Sequence, residues 1–379
     1  MKNPIDWYDR IREESRVLWH PETSSWYVTR FEDVWNLLVS PDLGARSKDT
    51  FTRKMTPEQR EVCAPVIDFI AKWPVFSDPP RHTDIRRLTL PAFSAAEVER
   101  VTDEVRVELD RLGCGNREPA ELFEGVVRPA CEAALAEFLG MDLGEFEQVP
   151  VWAAQIMQFA AQTEYHPKVM PRAARALADF SEFVLTSARK GRSALSARLD
   201  GAISRGDITE SDVVAIYGQM VTGILQPTMS TLATAVELVS RGAEYRECFR
   251  SDPDTFVSEA IRLTTPFHFA PRRTLVDVEI DGKVIPAGER IVLLLVSANR
   301  DPRRFPDPLS FRMDRGQPPH VAFSRGRYAC LGAAMTRQLM TAALTAVLDG
   351  QPEPLSPLRV VWNVGRGMRA AERFEPAVR

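Results

Sequence analysis

The sequence predicts a mainly α protein with a small β region, and three observations carry that expectation. Long stretches place apolar residues at helical spacing, strand character is confined to short patches, and no Gly/Ser-rich or charge-run linker divides the 379 residues. A chain of this length, 44% hydrophobic and 26% charged, can bury a large core. We therefore expect residues 1–379 to form a single domain, a large helical body with a minor sheet. The 28 prolines lie at turns between periodic stretches rather than in tracts, and no internal repeat is present.

Taken along the chain, helical periodicity covers 31–40, 95–112, 121–139, 149–162, 172–190, 212–240, 255–264 and 332–348. Two apolar patches, 17–19 and 26–29, flank Pro21-Glu-Thr-Ser-Ser25 and predict a hairpin. A second set of strands, 278–280, 283–285 and 290–296, is broken by Asp281-Gly282 and Pro286-Ala-Gly288, and 358–364 predicts one more. Residues 299–315 are too rich in Pro and Asp for regular structure, yet carry Phe305 and Phe311 as anchors for an ordered meander.

Composition excludes several classes of function. A net charge of −4 gives no footprint for nucleic acid. The short basic clusters at 81–87, 189–192 and 300–304 read as solvated faces, or as docking sites for acidic groups. Five cysteines at 63, 114, 131, 248 and 330 are too scattered for a disulfide framework and fit a reducing cytosol. The N-terminus lacks an apolar leader, and no run of eighteen apolar residues occurs, so a cytoplasmic monomer without a membrane anchor is expected.

The chemistry points to the segment Phe323-Ser-Arg-Gly-Arg-Tyr-Ala-Cys330-Leu-Gly332, which sets one cysteine between two glycines just ahead of a helical run. A sulfur that ligates a metal must stay deprotonated, and backbone N–H groups with a helix N-terminus nearby favour that state. Gly326 and Gly332 would let the backbone come close where a Cβ would collide. Upstream, Glu259-Ala-Ile-Arg262 pairs an acid and a base three apart on one helix face. In Asp78-Pro-Pro-Arg-His82-Thr-Asp-Ile-Arg86, His82 and Arg86 lie four apart on an expected helix and point the same way.

This ordered set resembles the cytochromes P-450: the cysteine loop, the ExxR pair upstream of it, the meander between them, and the His-x-x-x-Arg pair. The resemblance implies haem b (iron protoporphyrin IX) as cofactor, Cys330 as its axial ligand and Phe323 as a shield over the sulfur. It implies propionate contacts from His82, Arg86 and Arg272, with Arg273 the alternative in a shifted register, and a third member of the ExxR lock from Arg312 or Arg315. Where the family often has His, two residues before the thiolate, this chain has Tyr328, which can donate one hydrogen bond but carries no charge.

The largest departure lies in the 212–240 helix. Gly223-Ile-Leu-Gln-Pro-Thr228 falls where the family usually places an acid and an alcohol that relay protons during dioxygen activation. Gln226 replaces the acid and Pro227 the alcohol, and neither an amide nor a proline relays protons in that way. A slip of one residue would put Thr228 in the alcohol's place. Pro227 also removes the N–H partner of the Gly223 carbonyl and kinks the helix. Gln219, Gln226 and His268 are the candidates for polar contacts to a ligand.

The resemblance thus implies an oxidoreductase, monooxygenase or oxidase, acting on a small organic substrate in bacterial secondary metabolism by coupling, desaturation or hydroxylation, with ferredoxin and ferredoxin reductase as electron donors. Three alternatives stay open: a conventional ferredoxin-dependent hydroxylase, a peroxide-driven peroxygenase, and a haem-binding protein without turnover.

Overall fold

A computed structural model describes residues 4–46, 48, 52, 55–115, 117–160, 166–351, 355–365 and 367–377. It is mainly helical, with nine strands in chain order: β1 (Val17–His20), β2 (Ser25–Val28), β3 (Leu43–Gly44), β4 (Ala270–Thr274), β5 (Val278–Ile280), β6 (Lys283–Ile285), β7 (Arg290–Leu293), β8 (Leu358–Val364) and β9 (Arg369–Pro376). The chain forms two compact units.

The first unit comprises Met1–Gly44, Thr102–Cys131 and Gln226–Arg379. It holds a five-stranded sheet of order β1-β2-β7-β4-β3, in which β2 and β7 run parallel and the other pairs antiparallel. The central strand explains the arrangement. In β7, Ile291 and Leu293 face a cluster with Val17, Val28, Phe31, Phe305 and Val321. Val292 and the following Leu294 face Ile5, Tyr8 and Ile11 of the helix Pro4–Glu14 on the other side. A strand covered on both faces reads as an unbroken apolar run rather than an alternating one. For the same reason the expected 290–296 strand is too long: its apolar run continues into the helical turn Leu295–Ala298, where Ser297 Oγ donates to the Thr29 carbonyl at 2.8 Å.

The hairpin β1/β2, the β5/β6 pair and β8 lie where the sequence puts them. Two strands escape the periodicity reading. Strand β4, Ala-Pro-Arg-Arg-Thr, carries two arginines in five residues, and β9 is half charged because its hairpin with β8 is only partly buried.

The second unit comprises Ala45–Val101 and Glu132–Leu225. Its helix Pro57–Ala71 starts from a capping box in which Thr56 Oγ1 accepts from the Gln59 N–H and Gln59 Oε1 from the Thr56 N–H. Phe69 from that helix packs edge-on against Phe180 of the helix Val169–Arg189. It also lies so close to Gly218 that a Cβ there would stand 2.4 Å from the Phe69 ring, so glycine sets this close approach. Tyr217, buried alongside, donates its hydroxyl to the Leu139 carbonyl at 2.9 Å. The expected 149–162 helix is described as Val149–Ala160, and its last two residues fall outside the described residues.

Candidate functional site

Of the five cysteines, Cys63, Cys114 and Cys131 are buried, Cys248 is half-buried and only Cys330 is exposed. Burial pushes the Cys63 and Cys114 thiols up, away from the thiolate state. Cys330 sits two residues ahead of Gly332, which caps the helix Ala333–Gly350. The first intrahelical bond found there runs from the Thr336 N–H to the Gly332 carbonyl. Earlier N–H groups of this first turn have no intrahelical acceptor, and the helix dipole favours negative charge at this end.

The loop 323–332 is tightly specified. The Cys330 N–H donates to the Phe323 carbonyl at 2.9 Å, closing the loop on itself, and 326–328 form a 3-10 turn. Gly326 has φ +68, and a Cβ on it would lie 2.8 Å from Val39 Cγ1 and 3.3 Å from the Leu38 carbonyl oxygen. Glycine is therefore required there on two counts. Gly332 has φ −82 and ψ 8, a conformation open to most residues.

Three guanidinium-on-ring contacts brace the loop, and sequence reading found none of them as contacts. Arg325 lies 3.6 Å from the Trp35 ring centroid and donates to the Trp35 carbonyl at 3.2 Å. Arg272 lies 4.3 Å from the Tyr328 ring, and Arg337 5.4 Å from the Phe323 ring. All are within cation–π range. The pairs join residues far apart in the sequence, which no local pattern marks.

Beneath the loop the ExxR pair is buried and bidentate: Arg262 Nε and Nη2 donate to Glu259 Oε2 and Oε1 at 2.7 and 2.8 Å. The third member is Arg315, whose Nε donates to Glu259 Oε1 at 2.9 Å. The Arg312 guanidinium turns instead to Asp307 and Asp314. Arg262 Nη1 also donates to the carbonyls of Asn299 and Pro308, holding the meander. Asn299, fully buried and missed at the sequence level, completes the tie. Its Nδ2 donates to Thr265 Oγ1 and its Oδ1 accepts from the Val321 N–H, both at 2.8 Å, just ahead of the thiolate loop. The run Asn-Arg-Asp-Pro at 299–302 was the available signal.

In the second unit the helix Arg81–Thr89 carries both His82, 4% exposed, and Arg86, half-buried. Part of the basic cluster here is structural: Arg81 pairs with the buried Asp212 at 2.8 Å and donates to the Lys72 carbonyl. Arg272 lies inside β4, is 3% exposed and meets the Tyr328 ring, whereas Arg273 alternates to the other face.

Pro227 lies inside the long helix Glu210–Ser240. Gln219, Gly223, Gln226 and Pro227 form a half-buried stripe at helical spacing, while Val221, Leu225 and Met229 are buried. A Cβ at Gly223 would meet nothing within 4 Å, so open space adjoins the stripe. Thr228 is off it: 2% exposed, its hydroxyl has no hydrogen-bond partner among the described residues. Of the ligand-contact candidates, Gln219 makes a structural bond and His268 is buried with neither ring nitrogen hydrogen-bonded among the described residues. Gln219 Oε1 accepts from the Val75 N–H at 2.8 Å, fixing the segment of the Trp73–Phe76 ring stack. His268 is fully buried, edge-on to Tyr8, and held neutral by burial and by the Arg369 and Arg300 charges, its pKa lowered to about 3.

The family model for cytochrome P-450 matches residues 254–350, the span from the ExxR helix through the meander and loop. Biflaviolin synthase of Streptomyces coelicolor is 29% identical over 91% of this chain and 84% of its own length. Cytochrome P-450 130 of Mycobacterium tuberculosis is 28% identical over 97% of this chain and 93% of its own length. Among solved structures, P-450BioI in complex with a hexadec-9Z-enoic acid ligated acyl carrier protein superposes with a TM-score of 0.83 at 23% identity, covering 98% of this chain and 97% of that one. Fold and site together define an oxidoreductase of the haem-thiolate class, with haem b as cofactor. The chain belongs to the cytochrome P-450 superfamily. The residues present fit that cofactor, since an open thiol at a helix N-terminus suits the iron and a nearly buried arginine suits a carboxylate. Among the described residues no helix is long and apolar enough to cross a membrane.

Proposed function

We propose that Cys330 is the axial ligand, that His82, Arg86 and Arg272 hold the propionates, and that Phe323, Tyr328 and Gly332 shape the thiolate loop. On this reading the chain carries out an oxidative tailoring step on a small organic substrate, by coupling or desaturation rather than routine hydroxylation. Haem b, when bound, supplies the oxidising chemistry. The chain's residues hold the thiolate side rigid, bring the substrate to the Gln226–Pro227 stripe and withhold a side-chain proton relay there.

The observation that carries the reading is the stripe itself. Its half-buried members at the relay positions are an amide and a proline, the adjacent Thr228 is buried, and the hydroxyls of Ser230 and Thr231 donate to the Gln226 and Pro227 carbonyls at 2.9 and 3.0 Å. The proton must then come from water or from an acidic substrate group such as a phenol. A relative named as a synthase, biflaviolin synthase, is in keeping with this. Electrons would come from ferredoxin and its reductase. The test supplies NADPH with surrogate ferredoxin partners to the holoprotein and a panel of phenolic and cyclic-dipeptide compounds, with products weighed by mass spectrometry. Dimers or products two hydrogens lighter are expected. Hydroxylated product matching NADPH one for one would contradict the proposal.

A further inference from the structure

We infer that Tyr328 is a positioning residue whose ring face fixes Arg272. The inference rests on the haem-binding reading above and deepens it, because it says how a neutral residue works where the family often places a charged one.

The Arg272 guanidinium carbon lies 4.3 Å from the Tyr328 ring centroid, and Arg272 is only 3% exposed. Its Nη1 donates to the carbonyl of Pro271, the preceding residue in β4, at 2.9 Å, which pins one corner of the fork. A cation over a ring uses its flat face, which leaves the remaining N–H groups on its edge directed sideways. Both residues line a cavity of about 110 Å³ with Arg327, Ser40 and Leu43, room for a carboxylate and its waters.

The two partners come from different elements of the first unit. Arg272 sits in a strand paired on both sides, with β7 and β3. Tyr328 ends the 3-10 turn that starts at Gly326, which is itself locked against Leu38 and Val39. The stack thereby links the order of the thiolate loop to the direction of a propionate-gripping arginine. A histidine at 328 would add a second charged donor; the tyrosine instead holds the existing cation, and that task needs only its aromatic face.

The test is the rate at which holoprotein loses haem to excess apomyoglobin, read in the visible spectrum, for the unmodified chain, Tyr328→Phe, Tyr328→Leu, Arg272→Leu and the Tyr328→Leu/Arg272→Leu pair. The thermal midpoint of each variant is measured alongside. Tyr328→Phe should stay within about twofold of the unmodified rate, and Tyr328→Leu should release haem on the order of tenfold faster. In the Arg272→Leu background, adding Tyr328→Leu should change little, since the partner is already gone. The inference is overturned if Tyr328→Phe loses haem as fast as Tyr328→Leu, or if the effect of Tyr328→Leu persists undiminished without Arg272. An unmodified chain that takes up no haem would overturn the cofactor assignment first, a result distinct from either variant pattern.

Discussion

The loop around Cys330 and the helix through Pro227 are built on opposite terms. The loop is over-determined: a glycine that tolerates no Cβ, a backbone bond across the loop, three ring-stacked arginines, and a buried lock of Glu259, Arg262 and Arg315 beneath. The helix stripe is under-committed, with Gln226 and Pro227 half-buried and open space at Gly223. On the proposed reading, the first region would hold a ligand in a single geometry, whereas the second would leave the chemistry to whatever occupies it.

The sharpest way to break the comparison is at the lock. Glu259→Gln leaves Arg262 and Arg315 without a carboxylate in a buried site and should cost about 3–5 kcal/mol, read as a fall in the urea midpoint with loss of the bound cofactor. A fall under about 1 kcal/mol would mean that the loop does not depend on its foundation. Gly326→Ala, strained by φ and by Val39, should cost about 1–3 kcal/mol in the same assay. The helix responds through chemistry instead. Gln226→Glu combined with Pro227→Thr restores an acid and an alcohol, and should raise hydroxylated product per NADPH on the order of tenfold. No change would place the limit elsewhere than the helix.

A pH dependence completes the set, small at each step of pH although it accumulates toward the acid limb. His268 titrates at about 3 in the folded chain against an ordinary 6.5, so between those values the unfolded chain binds a proton that the folded one does not. Stability is therefore unaffected by this group above pH 6.5 and falls as pH drops below it, by about 1.4 kcal/mol per pH unit. His268→Phe should flatten that part of the acid limb in urea titrations. An unchanged slope would mean that His268 is protonated within the fold.

Legibility follows the same division. The loop, the ExxR pair, the His82/Arg86 spacing and the long helices can be read from the sequence because each is a local pattern with a local cause. The choice of Arg315 over Arg312 cannot, since both are arginines near one carboxylate and only the path of the meander separates them. The stacking partners Trp35 and Arg272, and the tie through Asn299, depend on contacts between residues 22 to 290 positions apart, beyond the reach of any local pattern. The burial of His268 is likewise illegible, because an isolated histidine beside aromatics carries no mark of it. The β4 strand was hidden by its arginines, one of which, Arg272, is buried.

The account turns on the sulfur at position 330. The most direct measurement is the visible spectrum of dithionite-reduced, carbon monoxide-treated protein, taken for the unmodified chain and for Cys330→Ser. The unmodified chain should give the red-shifted band that names the superfamily, and Cys330→Ser should lose it entirely while Cys63→Ser, Cys114→Ser, Cys131→Ser and Cys248→Ser keep it. A band at the position of nitrogen-ligated haem in the unmodified, folded chain, or its persistence in Cys330→Ser, would contradict the account.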